Sequence, residues 1–275
     1  MPARIGHNAH LKEVSRHVGV HYAGASRQVE SLASGQRVNR ASDDPASLAL
    51  ADGIRSEVRA LAEGGRNVQQ SISLLQVAEG ALGEMTAILQ RMEGLATQVA
   101  SETYNDADRA AMAREFRVLK EELDRIATFT TYNGIPLLHA EQEFAIQAGP
   151  SETSNDVSRI WVGDMRASGP RLAMESLSVG TTADARRALE GLQQAQQALL
   201  GERNRIAAFQ NRLQLTATTT AGILQAMYGS EAEIRGVDMA ASVGVLTRSQ
   251  IVAETAAALA SDASTDVERV LSLLQ

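Results

Sequence analysis

The feature that most constrains this chain is a narrow apolar stripe over residues 68–95. The stripe steps by four, three, seven and seven residues through Val68, Ile72, Leu75, Leu82 and Leu89. This spacing places one apolar face along a long helix, with few large apolar residues opposite. Such a helix is stable only when its stripe packs against other long helices. We therefore predict a bundle of long helices, which is more typical of assembly subunits than of enzymes.

The same seven-residue spacing recurs along the chain. In a first helix over residues 5–33, the predicted seam comprises Val14, Val18, Tyr22 or His21, Ala25, Val29 and Leu32. A helix after Asn105 or Asp106 carries Met112, Phe116, Leu119, Leu123 and Ile126. From Asp184 onward the register is kept by Leu192, Leu199, Ile206, Leu213, Met227, Ile234 and Ala241. It continues one position along through Val245, Val252 and Leu259, the drift expected when a 3.6-residue helix meets a heptad.

The C-terminus is apolar, with Val270, Leu271 and Leu274 in its last turns. Chain termini are normally solvated, so an apolar terminus indicates a partner. The paired terminal seams are too thin to be stable alone, and we expect them to fold only in an assembly.

Two segments interrupt the helical pattern. Residues 36–45 (QRVNRASDDP) are polar and turn-prone, so Ser42 or Asp43 is predicted to cap the next helix, with Pro45 in its first turn. Alternating apolar residues predict a short β-hairpin at about residues 141–165. Residues 166–182 then form a Gly- and Ser-containing connection.

Composition excludes several classes of protein. The net charge of −7 argues against nucleic-acid binding, and the absence of cysteine excludes disulfides and thiolate metal sites. Aromatic residues make up only 3%, which suits thin helix–helix seams. Neither a cleavable signal peptide nor a run of eighteen apolar residues is visible, so we expect no membrane span, and any export would use another route.

No group of residues in the sequence indicates catalysis or a cofactor. Asp43 and Asp44 are adjacent, so their side chains diverge, and no nucleophile or base accompanies them. His17 and His21 share one helix face, but no carboxylate or cysteine completes a metal site. We expect capping aspartates, a polar histidine face, no metal, no cofactor and no enzyme activity.

Six sequence motifs, in order along the chain, resemble bacterial flagellin. They are SLASGQRVNRASDDPASLALADGI (31–54), NVQQSISLLQVAEGALGEMTAILQRMEGLATQ (67–98), ELDRIATFTTYNGIPLL (122–138), AFQNRL (208–213), IRGVDMA (234–240) and VLSLLQ (270–275). The resemblance covers nearly the whole chain except roughly residues 151–182.

The resemblance implies a mainly α, long-helix coiled-coil bundle with a small β-hairpin and paired N- and C-terminal helices. Residues 1–42 and 237–275 would form an inner, channel-lining domain, and residues 43–236 an outer helical rod domain. Larger members carry variable outer domains where this chain has only residues 166–182, so a minimal flagellin is expected.

The implied function is that of a structural subunit, which polymerises into the extracellular flagellar filament for motility. Implied partners are further copies of the chain, an export chaperone at the C-terminal helix, and the filament cap and hook–filament junction proteins. Asn39, Asp43, Asp44 and Pro45 match the segment that joins the two domains. Pro45 after two aspartates is more typical of the junction protein, which stays the first alternative; a soluble coiled-coil adaptor is the second.

The resemblance also implies recognition by the innate-immune Toll-like receptor for flagellin. Arg91, Leu95 and Glu115 match its contact motif. Glu93 and Gly94 replace a usual arginine and a usual glutamate, which reverses one charge and removes another. Weakened recognition is therefore predicted.

Overall fold

The computed structural model describes residues 9–153 and 156–273, with side chains over residues 12–153 and 156–261. The helices in this part of the chain are α1 (Ala9–Ser34), α2 (Pro45–Ala100), α3 (Asp106–Phe129), α4 (Thr182–Arg235) and α5 (Met239–Leu273). The strands are β1 (Thr131–Tyr132), β2 (Ile135–Pro136), β3 (Gln142–Gln147) and β4 (Val157–Val162). The predicted mainly α fold with a small β element is confirmed.

The chain forms two compact units, whose limits fall inside helices. Unit 1 runs up to Ser56 and resumes at Ala226; unit 2 is Glu57–Gln225. Ion pairs explain why the first turns of α2 belong to unit 1: Arg55 Nε and Nη2 donate to Glu231 Oε1 on α4 at 3.0 and 2.6 Å. Arg235 Nη1 lies 3.6 Å from Asp52 Oδ1. These contacts extend unit 1 beyond residues 42 and 237, where the sequence placed the domain limits.

The core of unit 2 is built on the apolar stripe of α2. Each of its five residues is at most 6% exposed, as the spacing predicts. The buried face is nevertheless wider than predicted, because Met85, Met92 and Leu95 are also buried. The partner helices contribute the residues that the heptads indicated, namely Phe116 and Leu123 on α3 and Leu192, Leu199, Ile206 and Leu213 on α4.

Within the described residues, one helix, α2, has the length and the mean hydropathy that a membrane span requires. Helix α2 contains no long uninterrupted apolar run, because glutamates and glutamines recur between its apolar residues. Core helices of proteins without membrane spans meet the same criterion, and the stripe of α2 lies in such a core.

Two side-chain hydrogen bonds define the pairing of α2 with α4 in unit 2. Gln196 Nε2 donates to Glu93 Oε2 at 2.8 Å, and Gln210 Nε2 donates to Glu79 Oε2 at 3.0 Å. The two glutamates are two heptads apart on α2, and the two glutamines are two heptads apart on α4. Both bonds therefore belong to one antiparallel register, which a slip of a whole heptad would break.

The predicted β-hairpin is present as the antiparallel pair β3–β4. Its inward face carries Phe144 opposite Ile160 and Ile146 opposite Ser158. Ser158 occupies a buried position of β4, and Val157 lies on the other face. A smaller hairpin, β1–β2, turns at Asn133 and Gly134, whose φ angles are 51° and 78°.

Residues 163–181 are a packed segment rather than a loose connection. Met165, Ala167, Leu172, Met174 and Val179 are at most 2% exposed. Polar side chains hold its backbone: Asp124 Oδ1 accepts from Ala167 N at 2.7 Å, and Lys120 Nζ donates to Glu175 O at 2.9 Å. Helix α4 begins at Thr182, because the Thr181 hydroxyl caps it by accepting from Asp184 N.

Two buried carboxylates complete this attachment. Glu202, 1% exposed, accepts from Gly163 N at 2.9 Å and contacts Arg205 and Arg171 at 3.1 and 3.4 Å. Burial alone would raise the pKa of Asp164, but hydrogen bonds from Arg166 outweigh it and hold that pKa below its usual value. The segment is thus tied to the helices by charged groups as well as by apolar packing.

Candidate assembly surface

Helices α1 and α5 of unit 1 pair at short range, with Cα atoms within 8 Å of each other. The buried and half-buried residues of α5, within the described side chains, are mostly small: Ser242, Leu246, Ser249, Val252, Ala253, Ala256 and Ala260. The corresponding residues of α1 are Val14, Val18, His21, Ala25, Gln28 and Leu32. Small side chains at the contact permit this short separation between the helices. The predicted pairing of the terminal helices is confirmed.

Several residues of the predicted terminal seams lie outside the α1–α5 contact, so their packing against other subunits stays a prediction. Val29 is 50% exposed, Tyr22 55%, Val245 49% and Leu259 62%. Sequence spacing alone selects the larger aliphatic residues, whereas most of the α5 residues at the close contact are small. Val14, Val18, Leu32 and Val252 are half-buried; Val270, Leu271 and Leu274 lie outside the described side chains.

As a result, unit 1 presents large apolar side chains to its exterior. We call this set the outward face, meaning the sides of α1 and α5 that are turned away from their mutual contact; it comprises Val20, Tyr22 and Val29 on α1 and Met239, Val243, Val245, Ile251 and Leu259 on α5. Every member is at least 49% exposed. Large exposed apolar groups gathered on one pair of helices are typical of a protein interaction surface.

The turn between α1 and α2 is fixed by its two aspartates. Asp44 caps α2: its Oδ1 accepts from Ser47 N at 3.1 Å and its Oδ2 from the Ser47 hydroxyl at 2.6 Å. These hydrogen bonds, with the hydroxyl first, lower the pKa of Asp44. Pro45 is the first residue of α2, as expected. The cap is Asp44 rather than Ser42 or Asp43.

Asp43 has a separate role within the turn. Its Oδ2 accepts from Asn39 N at 3.2 Å and Arg40 N at 2.9 Å. The Asn39 side chain in turn donates to the Ser34 hydroxyl at 2.8 Å, at the end of α1. The two carboxylates are thus engaged with different parts of the backbone, an arrangement that orders the turn.

Sequence reasoning missed the link between this turn and the end of α4. Arg37 N donates to Arg235 O at 2.6 Å, and Val237 N donates to Gly35 O at 3.2 Å, in an antiparallel bridge. Arg235 is only 8% exposed and also bonds the Gln36 side chain. The paired segments lie about 200 positions apart, and no spacing within either of them indicates the pairing.

The predicted receptor-type residues in unit 2 differ from one another in accessibility. Arg91 and Glu115 are exposed and form an ion pair, with Arg91 Nε and Nη2 at 2.8 and 2.6 Å from Glu115 Oε1. Leu95 is 1% exposed, so its prediction as an outer contact is wrong for the folded chain. Its heptad position places it in the core.

Among the described side chains, no group of three or more His, Cys, Asp or Glu residues is placed to hold a metal ion. His17 is exposed, and His21 is half-buried on the α1–α5 seam. The features that distinguish unit 1 are therefore its close helix pairing, its ordered turn and its outward face. Together they define a helical subunit built for assembly with other protein surfaces.

Comparison with protein families identifies which assembly this is. Residues 5–143 match the bacterial flagellin N-terminal helical region, and residues 189–274 match the bacterial flagellin C-terminal helical region. The chain belongs to the bacterial flagellin family. It is a structural subunit of the extracellular flagellar filament.

Relatives that are named as flagellins or filament core proteins align with nearly the full chain. A flagellin of Halalkalibacterium halodurans is 32% identical, with 98% of this chain and 99% of that protein aligned. A flagellar filament 30.7 kDa core protein of Treponema maltophilum is 30% identical over the same shares.

Two solved structures are also similar. Bacillus cereus flagellin is 29% identical with a TM-score of 0.50, covering 56% of this chain and 88% of that one. A putative flagellar hook-associated protein from Vibrio parahaemolyticus has a TM-score of 0.58, covering 70% of this chain and all of that one. At 14% identity this second likeness shows the fold alone.

Proposed function

We propose that the outward face of unit 1 is the surface through which subunits pack in the filament core. Its exposed aliphatic side chains are the observation that carries the proposal. Each buried aliphatic side chain contributes about 1.5–3 kcal/mol, so a face of this size supplies a strong driving force for assembly. Contacts of this heterologous kind, which do not close on themselves, generate filaments rather than rings. In functional terms, residues 1–42 and 237–275 form the inner domain, and residues 43–236 the outer domain.

Seeded polymerisation tests this proposal. We expect Ile251→Ser combined with Leu259→Ser to abolish pelletable filament, because two large apolar groups of the outward face are lost. Glu254→Gln, at an exposed position on the same helix, is the matched control and should polymerise normally. Circular dichroism of the monomers checks that the fold is intact. Wild-type filament yield from the double variant would refute the proposal.

The α1–α5 pair folds fully only within the filament. Its seam residues are mostly only half-buried, and those on α5 are mainly small, so the pair buries little apolar area. Hydrogen exchange should therefore be fast over Ala9–Ser34 in dilute monomer and slow in filament. A helical, protease-resistant N-terminal segment in dilute monomer would contradict this statement.

Before assembly, an export chaperone covers the C-terminal helix. Helix α5 offers the apolar side chains that a helix-binding groove requires, including Ile251 and Leu259. The test is binding of the cognate chaperone to the monomer, measured by calorimetry. The Ile251→Ser, Leu259→Ser variant should bind more weakly, and Glu254→Gln should not; equal binding would exclude α5 as the site. The cap and hook–filament junction proteins meet the same subunit surfaces at the filament ends.

Recognition by the Toll-like receptor is weak. The Arg91 side chain donates to Glu115, so it is already paired within the chain. Glu93 places an acidic group where the family has an arginine, and it accepts a hydrogen bond from Gln196. Purified monomer should give a low response in receptor reporter cells, and Glu93→Arg with Gly94→Glu should raise it. A potent wild-type response would refute this statement.

The role of the subunit is mechanical, without catalysis. The carboxylates and histidines that could suggest an active site are capping, pairing or facing the helix seam. Delivery without a cleaved leader stays a prediction from the sequence, and N-terminal sequencing of protein taken from filaments checks it. A processed N-terminus would contradict it.

A further inference from the structure

The β1–β2 turn carries an asparagine in an unusual environment. Asn133 and Gly134 are both exposed, with φ angles of 51° and 78°. A two-residue turn with both φ angles positive favours an Asn-Gly pair, which explains why these residues stand here. No side-chain hydrogen bond engages the Asn133 amide within the described residues, and the position of the Gly134 Cα is open to solvent.

We propose that Asn133 is a site of spontaneous deamidation in the mature subunit. The backbone nitrogen of Gly134 attacks the side-chain carbonyl carbon of Asn133, and the amide nitrogen leaves as ammonia. The resulting five-membered succinimide is opened by water at either carbonyl. The product is aspartate or isoaspartate, and no enzyme, oxidant or cofactor is consumed. Glycine favours this attack because it has no side chain to obstruct the approach of its own nitrogen.

Other asparagines in the described part of the chain are protected by their contacts. Asn39 donates to Ser34, Asn67 donates to the carbonyl of Gln147, and Asn105 caps α3 by accepting from Asp108 N. Asn204 and Asn211 lie inside α4, and each is followed by arginine. A regular helix holds the backbone away from the cyclised geometry, and the arginine side chain obstructs the attacking nitrogen.

The turn itself opens at low free-energy cost. Two residue pairs, Tyr132–Ile135 and Thr131–Pro136, lie between Asn133–Gly134 and the bond from Leu137 N to Thr130 O, and Pro136 has no backbone N–H to donate. Ile135 is 44% exposed and contributes little burial. Hairpins of this size are marginal by themselves, so the turn can leave its native φ and ψ and reach the geometry needed for attack.

Deamidation would change the surface of unit 2 locally. Either product adds one negative charge, and isoaspartate also lengthens the backbone by one methylene group. The buried residues Leu137 and Leu138, immediately after the turn, keep the rest of the unit in place. The unit should therefore stay folded while the turn accumulates modified residues as the subunit ages.

Peptide mass spectrometry of the full-length protein tests the proposal. Purified chain is kept under warm, mildly alkaline conditions and then cleaved after glutamate. Cleavage after Glu122 and Glu141 releases a fragment in which Asn133 is the sole asparagine. We expect this fragment to show the small mass gain of replacing NH with oxygen, in two chromatographic forms. Fragments with Asn67 or Asn105 should change at least several-fold more slowly.

Two variants separate the chemistry from general instability. Asn133→Gly keeps a residue that accepts positive φ but lacks the amide, so its fragment should show no mass gain. Gly134→Asp also accepts positive φ, but its side chain should slow the reaction several-fold. An unmodified wild-type fragment, equal rates at Asn67 and Asn133, or an unchanged rate in Gly134→Asp would each overturn the proposal.

Discussion

Substitution of Gly64 by alanine should destabilise unit 2, although the same change elsewhere on α2 should stabilise it. A Cβ at Gly64 would lie 2.2 Å from the carbonyl oxygen and 2.5 Å from the carbonyl carbon of Ala148. Both are backbone atoms, so no side-chain rotation can relieve the overlap. The backbone around Ala148 is itself held, since Ala148 N donates to Asp156 O at 2.7 Å and Asn67 donates to Gln147 O at 3.1 Å.

The magnitude follows from two opposing contributions. Replacing a mid-helix glycine by alanine gains about 1 kcal/mol of helix propensity. Overpacking against a fixed backbone costs about 3 kcal/mol, the upper end of the usual range. Gly64→Ala should therefore lose about 2 kcal/mol of unfolding free energy. Gly80 is exposed with nothing within 4 Å of its ideal Cβ, so Gly80→Ala should gain about 1 kcal/mol.

Urea unfolding of the monomer measures both variants. Circular dichroism reports the helices, and fluorescence of the single tryptophan, Trp161 on β4, reports the hairpin. The urea midpoints of the two variants should move in opposite directions. Their free energies of unfolding should differ by about 3 kcal/mol. Equal stabilisation by both alanines would show that α2 and the hairpin do not approach closely at Gly64.

Three further predictions concern the charged and polar groups of unit 2. Glu202→Ala should cost about 1–3 kcal/mol in urea unfolding, because the buried Gly163 N–H loses its acceptor; an unchanged unfolding free energy would count against this role. Glu79→Gln and Gln210→Glu should each lower the melting temperature, and combining them should restore most of it, since the exchanged pair can still bond; additive losses would argue against this register. Asp164 has a lowered pKa in the folded chain, so its contribution to stability is present above its ordinary pKa of about 3.9 and is lost as pH falls through the folded value. Asp164→Asn should therefore make acid unfolding less steep in that range, and an unchanged acid profile would contradict the assignment.

The helices of unit 2 were predictable because large apolar residues at heptad spacing have one stable arrangement. The α2 stripe and the α4 register from Leu192 to Leu213 are buried as expected, and the α3 heptad is buried at Phe116 and Leu123 and half-buried at its other three positions. The Asn133-Gly134 turn was equally clear, since few other residue pairs accept two positive φ angles.

The seam of unit 1 was less predictable because its helices pack through small residues. Apolar spacing favours Val245 and Leu259, but Ala253 and Ser249 occupy the contact. A hydrophobicity pattern cannot distinguish an intramolecular seam from an outward face when both repeat every seven residues. Leu95 was predicted as an outer contact from the receptor-type motif and not from its spacing, and its side chain lies in the core.

Close contacts between distant segments were also beyond sequence reasoning. Gly64 lies in the unbroken helix α2 and accommodates the backbone at Ala148, a contact that no spacing within α2 indicates. The fixation of residues 163–181 by Asp124, Lys120 and Glu202 depends on pairs that lie tens of residues apart. Spacing within one helix carries no information about such pairs.

A high-resolution electron-microscopy reconstruction of filaments grown from this chain would show whether the outward face of unit 1 forms the contacts between subunits. We expect α1 and α5 to stay paired through the small residues of α5. The side chains of Val20, Val29, Val245, Ile251 and Leu259 should be buried against neighbouring subunits. Filaments in which these five side chains face water, with the subunit contacts made elsewhere, would contradict the proposed role of the outward face.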